Sequence, residues 1–445
     1  MSDDLTDLTS LADPLPVGPL TGPLDVVANV PGSKSITNRA LVCAALAPGT
    51  SELSGVLFAD DTEAMIDCIG RLGIAVDVDR PAHRLIVTGG GGRPVADSAE
   101  LDARLSGTTA RFIGPVLALG PGPYRLDGAE PLRARPMGPG LRSLVELGAT
   151  VVEETQPGHL PVTIGGGATR GGESRVPADT SSQFASGLIM VGPCLEQGLT
   201  VRLDDQVVSG SYLTMTVAVM EAFGAAVTRP DSRTFSVAPT GYRAVGYRIE
   251  PDASAASYFF AAAAITGGRV RIDGLGRSSL QGDLAFVDVL EQMGADVDRG
   301  EHHTTVTGTG TLHGVTVDMS DRSDTAQTLA AVAVFADTPT EVTGIGFIRR
   351  KETDRIAAVV TELHRCGITA EETDDGFRIT PGAPQPAVVQ TYDDHRMAMS
   401  FALLGLRVPG FAIADPGCVA KTFPGYWTAI DRLRDGPAGA TGSGQ

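Results

Sequence analysis

The stretch "YRIEPDASAASYFFAAAAITGGRVRIDG", residues 247–274, sets the pattern for the whole chain. "YRIE" has the character of a short strand. Asp252 is of helix-capping type, the apolar run from Ala253 to Ile265 has helical character, and the glycines at 267 and 268 stop it. "RVRIDGL" then alternates apolar and polar residues as a strand does, "LAFVDVLEQM" returns to the helical period up to Gly294, and "ADVD" and "TTVTG" complete a β-α-β-α-β-β unit.

The unit recurs on both sides. "CIGRLGIAVDV", "LVELGATVV", "MEAFGAAVT", "VLEQMGADVD" and "LHRCGITAEE" each run from a helical stretch through a glycine into a β-like segment. Their glycines, Gly73, Gly148, Gly224, Gly294 and Gly367, are spaced by 75, 76, 70 and 73 residues, a regularity that marks a structural repeat. A second series interleaves with it, including "ALVCAALAPGTSELSG", "FFAAAAITGGRVRIDG" and "FALLGLRVPGFAIAD". Six units of about 70 residues fill the 445-residue chain, which implies two domains of three units each. The helices are apolar over much of their circumference and are expected inside.

The composition narrows the function. With 53 acidic against 35 basic residues and a net charge of −18, the chain lacks the broad basic face that nucleic acid or an anionic membrane requires. The five cysteines, Cys43, Cys68, Cys194, Cys366 and Cys418, are far apart and never in C-x-x-C spacing, so buried thiols in a reducing compartment are expected, not a disulfide framework or a zinc site. No signal peptide, transit peptide or membrane span is read, and the expected location is the cytoplasm. Residues 1–20 and 435–445 are expected to be disordered ends.

Against this acidic background, cations and hydroxyls gather where the first helix of each unit begins: "PGSKSITNR" (31–39), "LSGTTAR" (105–111), "DTSSQFAS" (179–186), "DASAAS" (252–257), "DRSDTAQT" (321–328) and "YDDHRMAM" (392–399). Helix starts expose unsatisfied N–H groups and the positive end of the dipole, so they suit phosphate and carboxylate. Capping does not call for Lys34, Arg39, Arg111 and Arg396, since cations oppose the dipole there unless an anion compensates. Six such starts facing one another would form an anion-binding cleft. A P-loop is excluded, Val27 standing where its first glycine is required. Loops add Arg135 in "RARPMG", Arg349, Lys351 and Arg355 in "RRKETDR", and Lys421 in "DPGCVAKTFP". "KETDR" also reads as a salt-bridged helix start.

Taken in order, "PGSKSITNRA", "RARPMG", "SSQF", "DASAASYF", "RRKETDR", "YDDHRMAMSF" and "DPGCVAKTFP" resemble the motifs of the 5-enolpyruvylshikimate-3-phosphate synthase family, the 3-phosphoshikimate 1-carboxyvinyltransferases, from about Pro31 to Trp427. The resemblance implies an α/β fold of two similar domains, each of three βαβαββ repeats with helices packed inside (an inside-out α/β barrel). One domain would cover 33–250 and the other 1–32 with 251–445, joined by two hinge crossings near Pro31 and Pro251 and closing over the ligands. It implies a transferase of the shikimate pathway, and a target of glyphosate. Such an enzyme moves the enolpyruvyl group of phosphoenolpyruvate to the 5-hydroxyl of shikimate 3-phosphate through a tetrahedral ketal, working as a monomer without metal or organic cofactor.

Carried over residue by residue, the resemblance gives Lys34, Ser35, Arg39, Ser181, Ser182, Gln183, Ser209, Tyr212, Asp324 and Lys351 to shikimate 3-phosphate. It gives Lys34, Gly107, Arg135, Gln183, Arg355, Arg396 and Lys421 to phosphoenolpyruvate. Asp324 is expected as the base, Glu352 as the acid, and Lys34 as an aid to proton transfer, with His395 behind them. In "RLSGTTAR" Leu105 stands where the family often has asparagine. The sister family of UDP-N-acetylglucosamine 1-carboxyvinyltransferases has a "CAIGARP" motif, whereas here "EPLRARP" occurs and residues 126–137 contain no cysteine. A non-catalytic anion-binding protein on the same scaffold is the other alternative, and it should have lost Asp324 or Glu352.

Overall fold

The computed structural model of the protein describes residues 8–167, 170–177, 181–204 and 209–435. The chain separates into two compact units, Gly32–Glu250 and the combination of Met1–Pro31 with Pro251–Gln445.

Unit Gly32–Glu250 contains helices α1 (Lys34–Leu46), α2 (Asp60–Arg71), α3 (Gly107–Leu117), the short α4 (Glu130–Arg133), α5 (Gly138–Glu146), α6 (Ser182–Val191) and α7 (Gly210–Ala222). Among its described residues, three sheets have four strands each. One runs Ala99–Asp102, Tyr124–Asp127, Val162–Gly165, Thr150–Glu153, and another Gly172–Val176, Leu199–Leu203, Thr234–Val237, Val227–Asp231. In each, the first pair is parallel and the others antiparallel. A parallel pair needs a crossover, and α3 and α6 supply it. These helices and α1 are buried almost throughout, as expected of sequences without a polar face. They pack closely: a Cβ on Gly187 of α6 would lie 2.4 Å from the Arg111 carbonyl of α3.

The other unit contains α8 (Ala253–Thr266), α9 (Phe286–Gln292), α10 (Ala326–Ala333), α11 (Arg355–Arg365), α12 (His395–Gly405) and α13 (Tyr426–Asp435). Here α8, α10 and α12 are the inner helices and pack on one another. Ser257, Thr328 and Ser400, one from each, form a hydroxyl ladder with contacts of 3.1 and 3.4 Å at the centre. Around it Phe259, Phe260 and Ile265 are buried, each contributing roughly 1.5–3 kcal/mol. The repeat-marking glycines at 73, 148, 224, 294 and 367 have φ of +79°, +99°, +87°, +107° and +74°. Each follows the second helix of its repeat in the left-handed conformation that ends helices, which accounts for their spacing.

Two expectations are corrected. The strand read in "YRIE" forms over Gly246–Arg248, but it pairs in parallel with Glu52–Ser54 of the Gly32–Glu250 unit. The parallel partner of Arg269–Arg271 is instead Asp25–Val27. The breaks at Pro31 and Pro251 come after these strands, so each strand closes the unit behind the break and not the one ahead of it. Secondly, residues 8–20 are not a disordered end. Leu15–Val17 pairs antiparallel with Phe411–Ile413 and completes the three-stranded sheet of the sixth repeat, with Val17 buried. Its apolar alternation was masked by the acidic, proline-broken composition around it. Residues 1–7 and 436–445, at the ends expected to be disordered, lie outside the described residues. All five cysteines are free, but Cys194 and Cys418 are only half-buried. No helix of the described residues is long and apolar enough to cross a membrane.

Candidate active site

Among the described residues, five of the six inner helices begin on a capping side chain. Ser33, Ser106, Ser181, Asp252 and Asp394 accept the N–H groups of Ile36, Thr109, Gln183, Ala255 and Arg396. The sixth, α10, departs from the pattern: it is entered through the 3-10 turn Ser323–Thr325, which carries Asp324.

In the Gly32–Glu250 unit, Lys34 at the first position of α1 donates to the Asp61 carboxylate of α2 at 2.9 Å. The Asp61 carbonyl accepts the Thr109 hydroxyl of α3 at 3.1 Å, so the starts of these three helices are tied together. Arg135 lies over the first residue of α3, and a Cβ on Gly107 would sit 3.1 Å from its guanidinium. One turn on, Arg111 donates to Gln183 Oε1 at 2.6 Å and to the Pro136 carbonyl at 3.2 Å, and Gln183 donates to the Thr108 hydroxyl at 3.0 Å. Leu105 directly precedes the Ser106 cap. Ser181 and Ser182 begin α6, and Ser209, with φ +56°, begins α7.

Arg39, expected at shikimate 3-phosphate, is held by the protein itself. It is 2% exposed. Its guanidinium donates to the Thr216 hydroxyl at 2.8 Å and to the Ser35 and Tyr212 carbonyls at 2.9 and 3.3 Å. It also lies 5.0 Å from the Phe112 ring centre and 5.8 Å from that of Tyr212. Burial lowers its pKa to about 10. These contacts make Arg39 a tie between α1, α3 and α7, placed beneath Ser35 and Tyr212.

In the other unit Asp324 is the hub. Its Oδ1 accepts Lys351 at 3.0 Å and Arg355 at 3.3 Å, and its Oδ2 accepts Arg396 at 2.7 Å. Arg396 also donates to the Asp324 carbonyl at 2.9 Å. Glu352 accepts Arg355 at 2.9 Å and pairs with Lys421 at 3.2 Å. Arg355, only 1% exposed, further donates to Asp394 at 2.7 Å. Burial acts to lower its pKa, but Asp394, Glu352 and Asp324 outweigh that and raise it. Lys351 is lowered, mainly by burial, with the Asp324 charge opposing. His395, also buried, has its Nδ1 3.8 Å from Asp394 Oδ1.

Arg349, Lys351, Glu352, Asp354 and Arg355 of "RRKETDR" form ion pairs, as a salt-bridged helix start would, but in two groups. Asp354 caps α11 by accepting the N–H groups of Ile356 and Ala357 and pairs with Arg349 at 3.0 Å, whereas Lys351, Glu352 and Arg355 join the Asp324 cluster.

Sequence reasoning missed three carboxylates. Asp61 looks like any acid in a first helical turn, and Asp394 looks like a cap and nothing more. Asp283, in "QGD", gave no signal at all. It is buried in the turn Gly282–Ala285, bonded by the Ser254 hydroxyl, and this turn is tied to the Asp324 turn by Arg322 donating to the Ala285 carbonyl at 3.0 Å. Burial pushes the Asp283 carboxyl up to about 6, the Asp324 charge adding to the effect while Ser254 and Arg396 oppose it. The arrangement combines carboxylates able to move protons with cations able to hold anionic ligands.

Residues 19–430 match the family model of EPSP synthase (3-phosphoshikimate 1-carboxyvinyltransferase). A 3-phosphoshikimate 1-carboxyvinyltransferase of Trichormus variabilis is 47% identical over 95% of this chain and 99% of its own length. One from Methanoculleus marisnigri is 41% identical over 92% of this chain and 97% of its own length. A solved structure of EPSP synthase from Acinetobacter baumannii superposes with a TM-score of 0.79 at 26% identity, covering 94% of this chain and 97% of that one.

Proposed function

The chain belongs to the EPSP synthase family, and we propose that its two charged clusters divide the work of that family's reaction. The enzyme transfers the enolpyruvyl group of phosphoenolpyruvate to the 5-hydroxyl of shikimate 3-phosphate and releases phosphate, a step of aromatic amino acid biosynthesis. The sister reaction on a UDP-sugar is disfavoured, because the matched family and its relatives are carboxyvinyltransferases of 3-phosphoshikimate.

One observation carries the division of roles. Asp324 gathers Lys351, Arg355 and Arg396, and Glu352 shares Arg355 with it and adds Lys421. A base and an acid therefore stand within one cationic network. Asp324 takes the proton of the 5-hydroxyl as its oxygen attacks C2 of phosphoenolpyruvate, and Glu352 delivers a proton to the methylene carbon. The product is the tetrahedral ketal phosphate, whose former methylene is now a methyl group. In elimination Glu352 removes a methyl proton, the C–O bond to phosphate breaks, and Asp324 returns its proton to the departing phosphate.

The anionic donor competes with Glu352 for Arg355 and Lys421, and with Asp324 for Arg396, so its binding releases the two carboxyl groups for proton transfer. Arg135, Gln183 and Lys34 complete the phosphoenolpyruvate contacts, and Gly107 leaves room for them. Lys34, Ser35, Ser181, Ser182, Gln183 and Ser209 hold the phosphate of shikimate 3-phosphate, with Arg39 beneath them. Tyr212 contacts the ring, and Lys351 and Asp324 its hydroxyls. Lys34 also stabilises charge on the transferred phosphate. We also propose that the enzyme works in the cytoplasm, in keeping with the biosynthetic role of its family, and as a monomer.

The test is Asp324→Asn. Turnover, followed as phosphate release, should be abolished while calorimetry still detects shikimate 3-phosphate binding; retained turnover would refute the base assignment.

A further inference from the structure

Tyr392 and Asp393 have φ values of +56° and +55°. Both bear a Cβ, and the left-handed conformation is unfavourable for such residues. They form the turn between strand Val388–Val389 and α12, directly before Asp394, His395 and Arg396. A conformation of this kind persists only where surrounding groups impose it.

The restraint comes from α11. Glu362, in the last turn of that helix and fully buried at 0% exposure, accepts three hydrogen bonds on its carboxylate. The donors are the Gln390 N–H at 2.9 Å, the Tyr392 hydroxyl at 2.7 Å and Arg365 Nε at 3.0 Å. Seven residues earlier, about 10 Å along the helix, Arg355 binds Asp394 through Nε at 2.7 Å and Nη2 at 3.3 Å. One helix therefore holds the turn on both sides of its left-handed pair. Filling space alone would be served as well by an apolar residue of similar volume, since a buried charge carries a desolvation penalty.

We propose that Glu362 is a positioning residue: its carboxylate fixes the Tyr392–Asp393 turn, and through it sets where Arg396 enters α12 and meets Asp324. The kinetic part of this inference rests on the assignment of Arg396 to phosphoenolpyruvate.

In the ligand-free enzyme, Glu362→Ala is expected to speed amide hydrogen exchange over residues 390–396 at least tenfold. It is also expected to raise KM for phosphoenolpyruvate at least tenfold, with KM for shikimate 3-phosphate within twofold of the parent. Asp393→Gly removes one left-handed penalty; alone it should be as active as the parent, and combined with Glu362→Ala it should recover most of the lost KM. If Glu362→Ala does not fold, Tyr392→Phe decides the matter, since it deletes a single bond from an exposed side chain and should change exchange and KM two- to threefold. Unchanged exchange over 390–396 overturns the proposal, and so does a KM defect that Asp393→Gly fails to relieve. Arg396→Lys serves as the control: if it leaves KM for phosphoenolpyruvate unaltered, the ligand assignment falls, and the exchange data still decide the role of Glu362.

Discussion

Replacing Asp283 by asparagine removes a buried charge while preserving shape. The Asp283 carboxyl titrates at about 6 in the folded protein against an ordinary value of 3.8, a difference equivalent to about 3 kcal/mol at neutral pH. Well below pH 3.8 the group is protonated in both folded and unfolded chains and contributes nothing. Between about pH 4 and 6 the unfolded chain loses this proton while the native state retains it, so the native state binds more protons and stability falls as pH rises. Above that window the penalty is complete. Asparagine is neutral throughout, and its amide oxygen can still accept the Ser254 hydroxyl. Asp283→Asn should therefore come close to the parent near pH 3, and exceed it by up to about 3 kcal/mol at pH 7.5. The facing groups that modulate this are Asp324, Arg396 and Asp252. Trp427, the single tryptophan of the chain, is buried in the same unit and donates to the Pro416 carbonyl at 2.9 Å, so its fluorescence in urea reports unfolding where Asp283 lies. A stability difference that stays flat from pH 4 to 7.5, or one that favours the parent more strongly as pH rises, would refute the reasoning.

Lys34→Ala should weaken both ligands in calorimetry and, by leaving the buried Asp61 carboxylate without its 2.9 Å partner, destabilise the Gly32–Glu250 unit by about 1–3 kcal/mol in urea unfolding. Gly107→Ala puts a methyl group 3.1 Å from the movable Arg135 guanidinium, so the fold should survive while KM for phosphoenolpyruvate rises several-fold in the phosphate assay; an unchanged KM would show that this surface does not meet the ligand. Gly294→Ala forces a side chain into φ +107° with the Thr311 carbonyl 3.2 Å away and should lower stability by about 1–2 kcal/mol, read from Trp427.

Much of the architecture could be read from the chain because it is repeated. Where a left-handed residue ends the second helix of a repeat, backbone geometry favours glycine, and five such glycines at near-constant spacing reveal the unit without knowledge of any contact. The partners of short strands could not be read this way. Three residues such as Gly246–Arg248 or Asp25–Val27 encode extended backbone but not the sheet they join, which depends on where the chain crosses between units. Cations at helix starts were legible because they run against the dipole. Asp61, Asp283 and Asp394 were not, since an acid at a helix start is the ordinary case and only three-dimensional neighbours distinguish a partner from a cap. Arg39 looked like Lys34 in sequence, but its position one turn into α1 carries it inward to Thr216 and Phe112.

The crossing near Pro31 and Pro251 bears on how the molecule can be taken apart. The Ser33 N–H donates to the Glu250 carbonyl, and the Asp252 N–H to the Pro31 carbonyl, each at 2.8 Å. The two ends of segment 32–250 therefore lie side by side, and so do the two ends left behind if it is cut out. Segment 32–250 includes Gly246–Arg248, so it carries every strand its own sheets require, and splicing residue 31 to residue 251 would leave the remainder with Leu15–Val17 and Asp25–Val27 in place. In topological terms one half of the enzyme is an insert within the other, with both cut points already adjacent for excision or circular permutation.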